Sequence, residues 1–217
     1  MPQQRDNTYN STTVSYYFPK SSWRYIITLM INTSISNPLR IDAVEIQSSK
    51  GIIGMTFCPG IKQNHGASGS HNRDLDLDLA AIQAWGAEIL VSLMEPHEYA
   101  LLGVEALHDK VPEGMLHLQL PIPDGSIPDA AWEATWKRKS PFIHTVLRRG
   151  GKVCLHCLGG LGRTGLVAAR LLVEFGVLPE EAILMVRKAR AGTIETMAQE
   201  AYVWSLAPPE DVPYSKE

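Results

Sequence analysis

The chain predicts an α/β fold in which a central, mostly parallel sheet carries helices on both faces. Two observations point there: from Pro38 onward short apolar runs rich in β-type residues alternate with stretches at helical spacing, and a glycine-rich loop joins one such run directly to a helix. A third sets the scale. At 217 residues and 45% hydrophobic composition the chain has enough apolar side chains for one full core.

In chain order, residues 1–34 read as an N-terminal extension to which no element is assigned, and Met30 could serve as a start. Its apolar stretch, Tyr25 to Ile31, lies behind a polar leader, too short to cross a bilayer and badly placed for a signal segment. A single domain is expected over 35–217. Strands are expected at Arg40–Ile46, Ile52–Phe57, Glu88–Leu93, Met115–Leu120 and Lys152–His156, each a short run in the β-type pattern. Helices are expected at Asp76–Trp85, Glu98–Gly103, Asp129–Arg148, Gly165–Phe175, Pro179–Ala189 and Thr196–Leu206. Asp129 stands between Pro128 and Ala-Ala-Trp-Glu, which reads as a helix start.

Composition excludes several classes of partner. Lys and Arg number 20 against 23 Asp and Glu, and a net charge of −3 gives no global pull toward nucleic acid or a membrane. Three cysteines, an odd number, argue for a reducing compartment and so for a cytoplasmic protein.

The segment from Val153 to Gly165 carries the chemistry. Cys157 and Arg163 bracket Leu158, Gly159, Gly160, Leu161 and Gly162, between a buried strand and a helix start. Successive backbone N–H groups of such a loop, with the positive end of the following helix, form a concave nest for an anion such as phosphate. Glycine permits the backbone angles this needs. Arg163 adds a planar fork able to hold two phosphate oxygens. The same positive field favours thiolate over thiol at Cys157, against a free value of about 8.5. His156 is expected to orient the loop, and Thr164 to bond the sulfur through its hydroxyl.

Other readings of the loop fare worse. Gly160-x-Gly162-x-x-Gly165 matches the spacing of a dinucleotide-binding turn, but the helix is followed by Pro179 and a second helical pattern where that motif requires a strand. Cys154-x-x-Cys157 matches a redox or metal pair, yet three strand residues at about 3.3 Å each separate the Cα atoms by nearly 10 Å, beyond the roughly 7 Å a disulfide tolerates. Cys154 reads as a core residue. A merely flexible turn would leave Arg163 at a helix start, where the dipole disfavours a cation.

His156-Cys157-x5-Arg163-Thr164-Gly165 resembles the signature of cysteine-dependent protein tyrosine and dual-specificity phosphatases. The likeness is nearest to the kinase-associated phosphatase, or cyclin-dependent kinase inhibitor 3, branch. It runs through residues 156–163, 121–125 (Pro-Ile-Pro-Asp-Gly), 57–60 (Phe-Cys-Pro-Gly) and 192–199, and covers roughly residues 38–206. The resemblance implies the three-layer protein tyrosine phosphatase-like fold and hydrolysis through a phosphocysteine, with no metal and no cofactor. A phosphorylated protein is the expected substrate, a kinase among the candidates, hydrolysed at phosphotyrosine, with phosphoserine or phosphothreonine left open because pocket depth is set by later loops. The resemblance places the acid that protonates the leaving oxygen at Asp124, and the residue that positions the hydrolytic water at Gln199.

The residues themselves leave alternatives. Asp124 lies in a Pro- and Gly-rich loop after a strand, where an Asx-turn role is nearly as natural as an acid, and Asp129 is its rival. Gln199 reads equally as an exposed helix side chain. Glu95, His97 and Glu98 read as a solvated helix start, Arg73 as a charged helix entrance with a lesser prospect of substrate contact, and His108 and His117 carry no pattern. Leu158 and Leu161 stand where phosphoinositide phosphatases of similar signature tend to carry lysines, which favours a phosphoprotein over an inositol phosphate or another small phosphomonoester. From a different class, a catalytically weak phosphopeptide-binding module is the alternative. Cys58, also at a strand end, is a candidate redox partner of Cys157.

Overall fold

The computed structural model of the chain describes residues 31–66 and 69–209, so Met30 and most of the Tyr25 to Ile31 stretch lie outside the described residues. The strands are β1 (Ile31–Asn32), β2 (Asp42–Glu45), β3 (Ile52–Thr56), β4 (Lys62–Gly66), β5 (Gly69–Asn72), β6 (Ala87–Ser92), β7 (Leu116–Gln119) and β8 (Lys152–His156). The helices are α1 (Leu75–Trp85), α2 (Pro96–Leu101), α3 (Leu107–Lys110), α4 (Ala130–Arg148), α5 (Gly162–Glu174), α6 (Pro179–Ala189) and α7 (Met197–Trp204).

The main sheet has the order β2-β3-β8-β6-β7. Only β2 runs antiparallel to its neighbour. Thr56 of β3 and Ser92 of β6 both stand opposite His156 of β8, so three strands end level with one another just before the glycine-rich loop. Strand alternation then sorts the core into two layers. Ile53, Met55, Ile89, Val91, Val153 and Leu155 pack with α4 to α7 on one face. Leu90 and Cys154 pack with Leu79, Ile82, Leu102 and Leu107 on the other. Parallel strands covered on both faces read as near-continuous apolar runs, which is why these segments were visible in the sequence. Helix α5 lies deepest, with every residue from Gly162 to Val173 buried. It starts at Gly162, three residues earlier than its pattern suggests, because the glycines that mask its first turn are required there by close packing.

A second sheet, β1-β5-β4, was not expected. Lys62–Gly66 and Gly69–Asn72 are polar and glycine-containing and show no apolar alternation, so the pairing of β4 with β5 has no signature of its own. Residues 31–34, assigned by sequence to the extension, are tied to this sheet and to α1. β1 runs parallel to β5, and the Ser34 hydroxyl accepts from the Asp74 N–H at 2.9 Å. Among the described residues no helix is long and apolar enough to cross a membrane.

Arg73, expected as a charged helix entrance, is 1% exposed and ion-paired into the first turn of α1. Its Nε and Nη2 fork Asp78 at 2.8 Å each, and its Nη1 donates to the carbonyls of Thr33 and Asn37 at 3.3 and 2.7 Å. Asp78 also accepts the Gly60 N–H at 2.8 Å, and the guanidinium lies 4.9 Å over the Phe57 ring. One buried ion pair thus joins the 31–37 segment, the loop after β3 and α1. Arg73→Leu strands the Asp78 charge in the interior and is expected to lower the unfolding free energy by about 3–5 kcal/mol in urea denaturation, with Arg73→Leu/Asp78→Leu losing less than the sum of the single changes.

Candidate active site

The loop from Cys157 to Arg163 owes its shape to what holds its carbonyls. The Leu158 carbonyl accepts the Cys58 N–H at 2.9 Å, and the Leu161 carbonyl accepts from Gly165 at 2.8 Å and Ile194 at 3.3 Å. Those of Gly159 and Gly160 accept from Nη2 and Nε of Arg190 at 3.0 and 2.7 Å, and Arg190 is itself paired with Asp42 at 2.8 Å. Four consecutive carbonyls are therefore drawn outward. A planar trans peptide points its N–H away from its carbonyl, so the donors turn to the concave side. Gly160 has φ +70°, and a Cβ there would lie 2.2 Å from the Thr56 carbonyl oxygen. A Cβ on Gly162 would lie 2.5 Å from a Glu195 carboxylate oxygen and 3.0 Å from the Gln199 amide. Gly159, by contrast, faces open space.

Cys157 follows β8 at the mouth of this cradle and is 4% exposed. Arg163, in the first turn of α5, is 1% exposed. Glu98 forks its Nη1 and Nη2 at 2.6 and 2.8 Å, and the Ile122 carbonyl accepts from Nη1 at 3.1 Å. Asp124 reaches Nη2 from the loop side at 2.8 Å, its own side chain 71% exposed. Nε has no partner among the described residues, nor has the fully buried Thr164 hydroxyl. The expected Thr164 bond to the Cys157 sulfur is therefore absent: the hydroxyl, carried in the first turn of α5, is left unused. A buried polar group without a partner costs about 1–3 kcal/mol, and here two of them lie in adjacent residues in the first turn of α5, directly after the loop.

Glu98 is the residue that sequence reading missed. It is buried, not part of a solvated helix start: its carboxylate closes a capping box with Glu95 and clamps Arg163. Burial opposes its charge, yet hydrogen bonds from Arg163 and the Glu95 N–H hold the carboxyl below the usual range. A Glu at the third position of a helix start was legible as a cap, but nothing local pointed to a cation 65 residues away. Arg190 was missed too, because its basic neighbours Arg187 and Lys188 make it look like a solvated helix end.

Gln199 is fully buried, which removes the exposed-helix reading. Its Oε1 accepts from Glu195 and Thr196 N–H at 3.0 and 3.3 Å, and its Nε2 donates to the Ser126 carbonyl at 3.2 Å. The start of α7 therefore touches both the Asp124 loop and Gly162. Asp129 caps α4, accepting the Trp132 N–H at 2.7 Å. His156 is fully buried behind the loop, while Leu158 and Leu161 are half-buried on it. Cys154 belongs to the core layer of α1–α3, away from Cys157, and burial pushes its thiol up to about 12. Burial also pushes the Cys58 thiol well up, and charge on Cys157 pushes it further.

This arrangement has relatives. A family model described as a polymorphic toxin system DSP-PTPase phosphatase matches residues 68–177, half of the chain. The chain belongs to the dual-specificity and tyrosine protein phosphatase family. Cyclin-dependent kinase inhibitor 3 of Rattus norvegicus is 30% identical over 157 residues, 70% of this chain and 69% of that protein. Tyrosine-protein phosphatase CDC14 of Saccharomyces cerevisiae is 38% identical over 82 residues, which are 37% of this chain and only 14% of the yeast protein. Among solved structures, a kinase associated phosphatase with serine in place of its catalytic-site cysteine superposes with a TM-score of 0.67 at 27% identity, covering 77% of this chain and 93% of that one. The protein is thus a cysteine-dependent phosphoprotein phosphatase of the kinase-associated branch, with the α/β fold of that family.

In this phosphatase the Glu98 clamp has a measurable signature. A carboxyl held low in the folded state contributes stability in full above its unfolded value of about 4.3, and that contribution is lost as pH falls through the lower folded value. Glu98→Gln is expected to remove this part of the acid dependence in urea denaturation between neutral and acidic pH. With Arg163 no longer held in place, kcat is expected to fall by as much as about a hundredfold.

Proposed function

We propose that Cys157 is the nucleophile and that Leu158, Gly159, Gly160, Leu161, Gly162 and Arg163 hold the phosphoryl group. The observation that carries this reading is the pair of buried, unpartnered donors, Arg163 Nε and Thr164 Oγ1, next to a loop whose four carbonyls from Leu158 to Leu161 are engaged elsewhere. The phosphate takes the Nε–Nη2 edge of Arg163 and the Thr164 hydroxyl, while Glu98 keeps the other edge. Asp124, displaced from Nη2, turns to the leaving oxygen. The thiolate attacks phosphorus, the bond to the leaving oxygen breaks, and Asp124 gives that oxygen its proton. Water then attacks the phosphocysteine, the ionised Asp124 takes the water's proton, and phosphate and thiolate are released. Gln199, between Ser126 and Gly162, is assigned by this reading to hold the water.

The substrate is a phosphorylated side chain of a protein, phosphotyrosine and also phosphoserine or phosphothreonine. Leu158 and Leu161 give the cradle a neutral, apolar lip, which supports this over a densely charged inositol phosphate. A kinase is a candidate partner, since the rat relative is named as an inhibitor of one. Three free cysteines, all buried, support a reducing, cytoplasmic setting, and residues 35–217 are taken as the phosphatase domain, with 1–34 its extension.

Cys157→Ser is expected to abolish turnover of an aryl phosphate while still binding inorganic phosphate. Asp124→Asn is expected to cost about 10²–10⁴ in kcat on a phosphopeptide, whose leaving group is basic, and much less on an activated aryl phosphate. Asp129→Asn, at the α4 cap, is expected to cost stability only, at most about 1 kcal/mol. Assays of the three variants on both substrates check this; a leaving-group-dependent loss in Asp129→Asn with none in Asp124→Asn places the acid at Asp129 instead.

A further inference from the structure

Four side chains link the protein surface to the peptide of Cys157. Nδ1 of the exposed His108, on α3, lies 3.0 Å from Nδ1 of His117 on β7. Nε2 of His117 lies 2.7 Å from Oγ of Ser92 at the end of β6, and that oxygen lies 2.5 Å from Nε2 of His156. The other ring nitrogen of His156 lies 3.3 Å from the Cys157 carbonyl oxygen. Ser92 and His156 are fully buried, so none of their polar atoms has water as a substitute partner.

The direction of this chain is set at its inner end. A carbonyl only accepts, so His156 must carry its proton on Nδ1 to bond it. Its bare Nε2 then accepts the single hydrogen of Ser92, whose oxygen accepts from His117 Nε2–H. That leaves His117 Nδ1 bare, facing the Nδ1–H of His108. Run in the opposite sense, the chain would aim a nitrogen lone pair at the Cys157 carbonyl. Each of the inner rings must also be neutral. Burial, with His108 on α3 and Lys139 on α4 in support, pushes His117 down to about 4. Burial pushes His156 down to about 3, opposed by its bond to the Cys157 carbonyl and by Glu98 and aided by His117 and Arg163.

We propose that Ser92 and His117, with His108 behind them, are positioning residues for the nucleophile: they fix the tautomer and plane of the His156 ring, and through its Nδ1–H the set of the Cys157 peptide at the head of the loop. The inference rests on Cys157 being the nucleophile. The geometry favours it because β6, β7 and β8 are adjacent and parallel, and the chain crosses them where the loop begins. These residues touch neither phosphate nor leaving group, so their removal acts on kcat and leaves substrate affinity in place.

Nitrogen NMR of the histidine rings tests the tautomers directly. The wild-type protein is expected to show His156 as the Nδ1–H form and His117 as the Nε2–H form. Ser92→Ala is expected to lower kcat on an aryl phosphate and the rate of iodoacetamide alkylation of Cys157, each by about tenfold, the scale of one lost hydrogen bond, with KM within about twofold. Ser92→Thr, which keeps the hydroxyl, restores both to within about threefold on the same scale. An Nε2–H tautomer at His156, an unchanged kcat in Ser92→Ala, or equal losses in Ser92→Ala and Ser92→Thr would each overturn the proposal. Cys157→Ser separates the two levels: residual turnover in it refutes the nucleophile and not the tautomers, which NMR reads without any turnover.

Discussion

Everything at this site depends on four peptide carbonyls being held outward. A glycine-rich loop left to itself samples many conformations, and ordering it costs about 1–2 kcal/mol per residue in backbone entropy. Here that cost is offset by donors from three separate places: the Cys58 N–H after β3, the guanidinium of Arg190 after α6, and the Ile194 N–H before α7. With the carbonyls so engaged the N–H groups are left to the opposite side of the loop, where the positive end of α5, buried from Gly162 to Val173, favours an anion. On the proposed function this preorganises the anion site, as electrostatic catalysis requires.

Arg163 is held by the same logic. A guanidinium in the interior is tolerable only when paired, and Glu98 pairs one edge of it through two hydrogen bonds. The clamp leaves the Nε edge turned to the cradle, where Asp124 approaches from the rim. The Asp124 loop is in turn tied through the Ser126 carbonyl to Gln199, whose amide abuts Gly162. The Asp124 loop, the cradle and α7 form one connected unit, so on the proposed function a displacement in any of them reaches the bound phosphoryl group.

The fold and the centre of the site were legible for different reasons. β3, β6 and β8 are buried on both faces and declare themselves as apolar runs, whereas β4 and β5 consist of polar and glycine residues and declare nothing. Cys157 and Arg163, the proposed nucleophile and phosphate clamp, stand out in the sequence because the chemistry proposed for them needs both at one spacing inside one segment. Glu98, Arg190, Ser92 and His117 act on that segment from 65, 30, 64 and 39 residues away, and only the sheet order brings them to it. Glu98 was misread because a charged residue near a helix start is ordinarily solvated, and its burial becomes visible only when its partner Arg163 is in place.

The central claim is a covalent phosphoryl group on Cys157. The direct measurement is acid quenching of the protein within its first turnover of a phosphotyrosine peptide, followed by mass spectrometry of the peptide that contains residues 153–163. The account predicts phosphate on Cys157, rising and decaying with turnover and absent from Cys157→Ser. Steady turnover with no phosphate on that peptide at any time, or with phosphate on another residue, would contradict it.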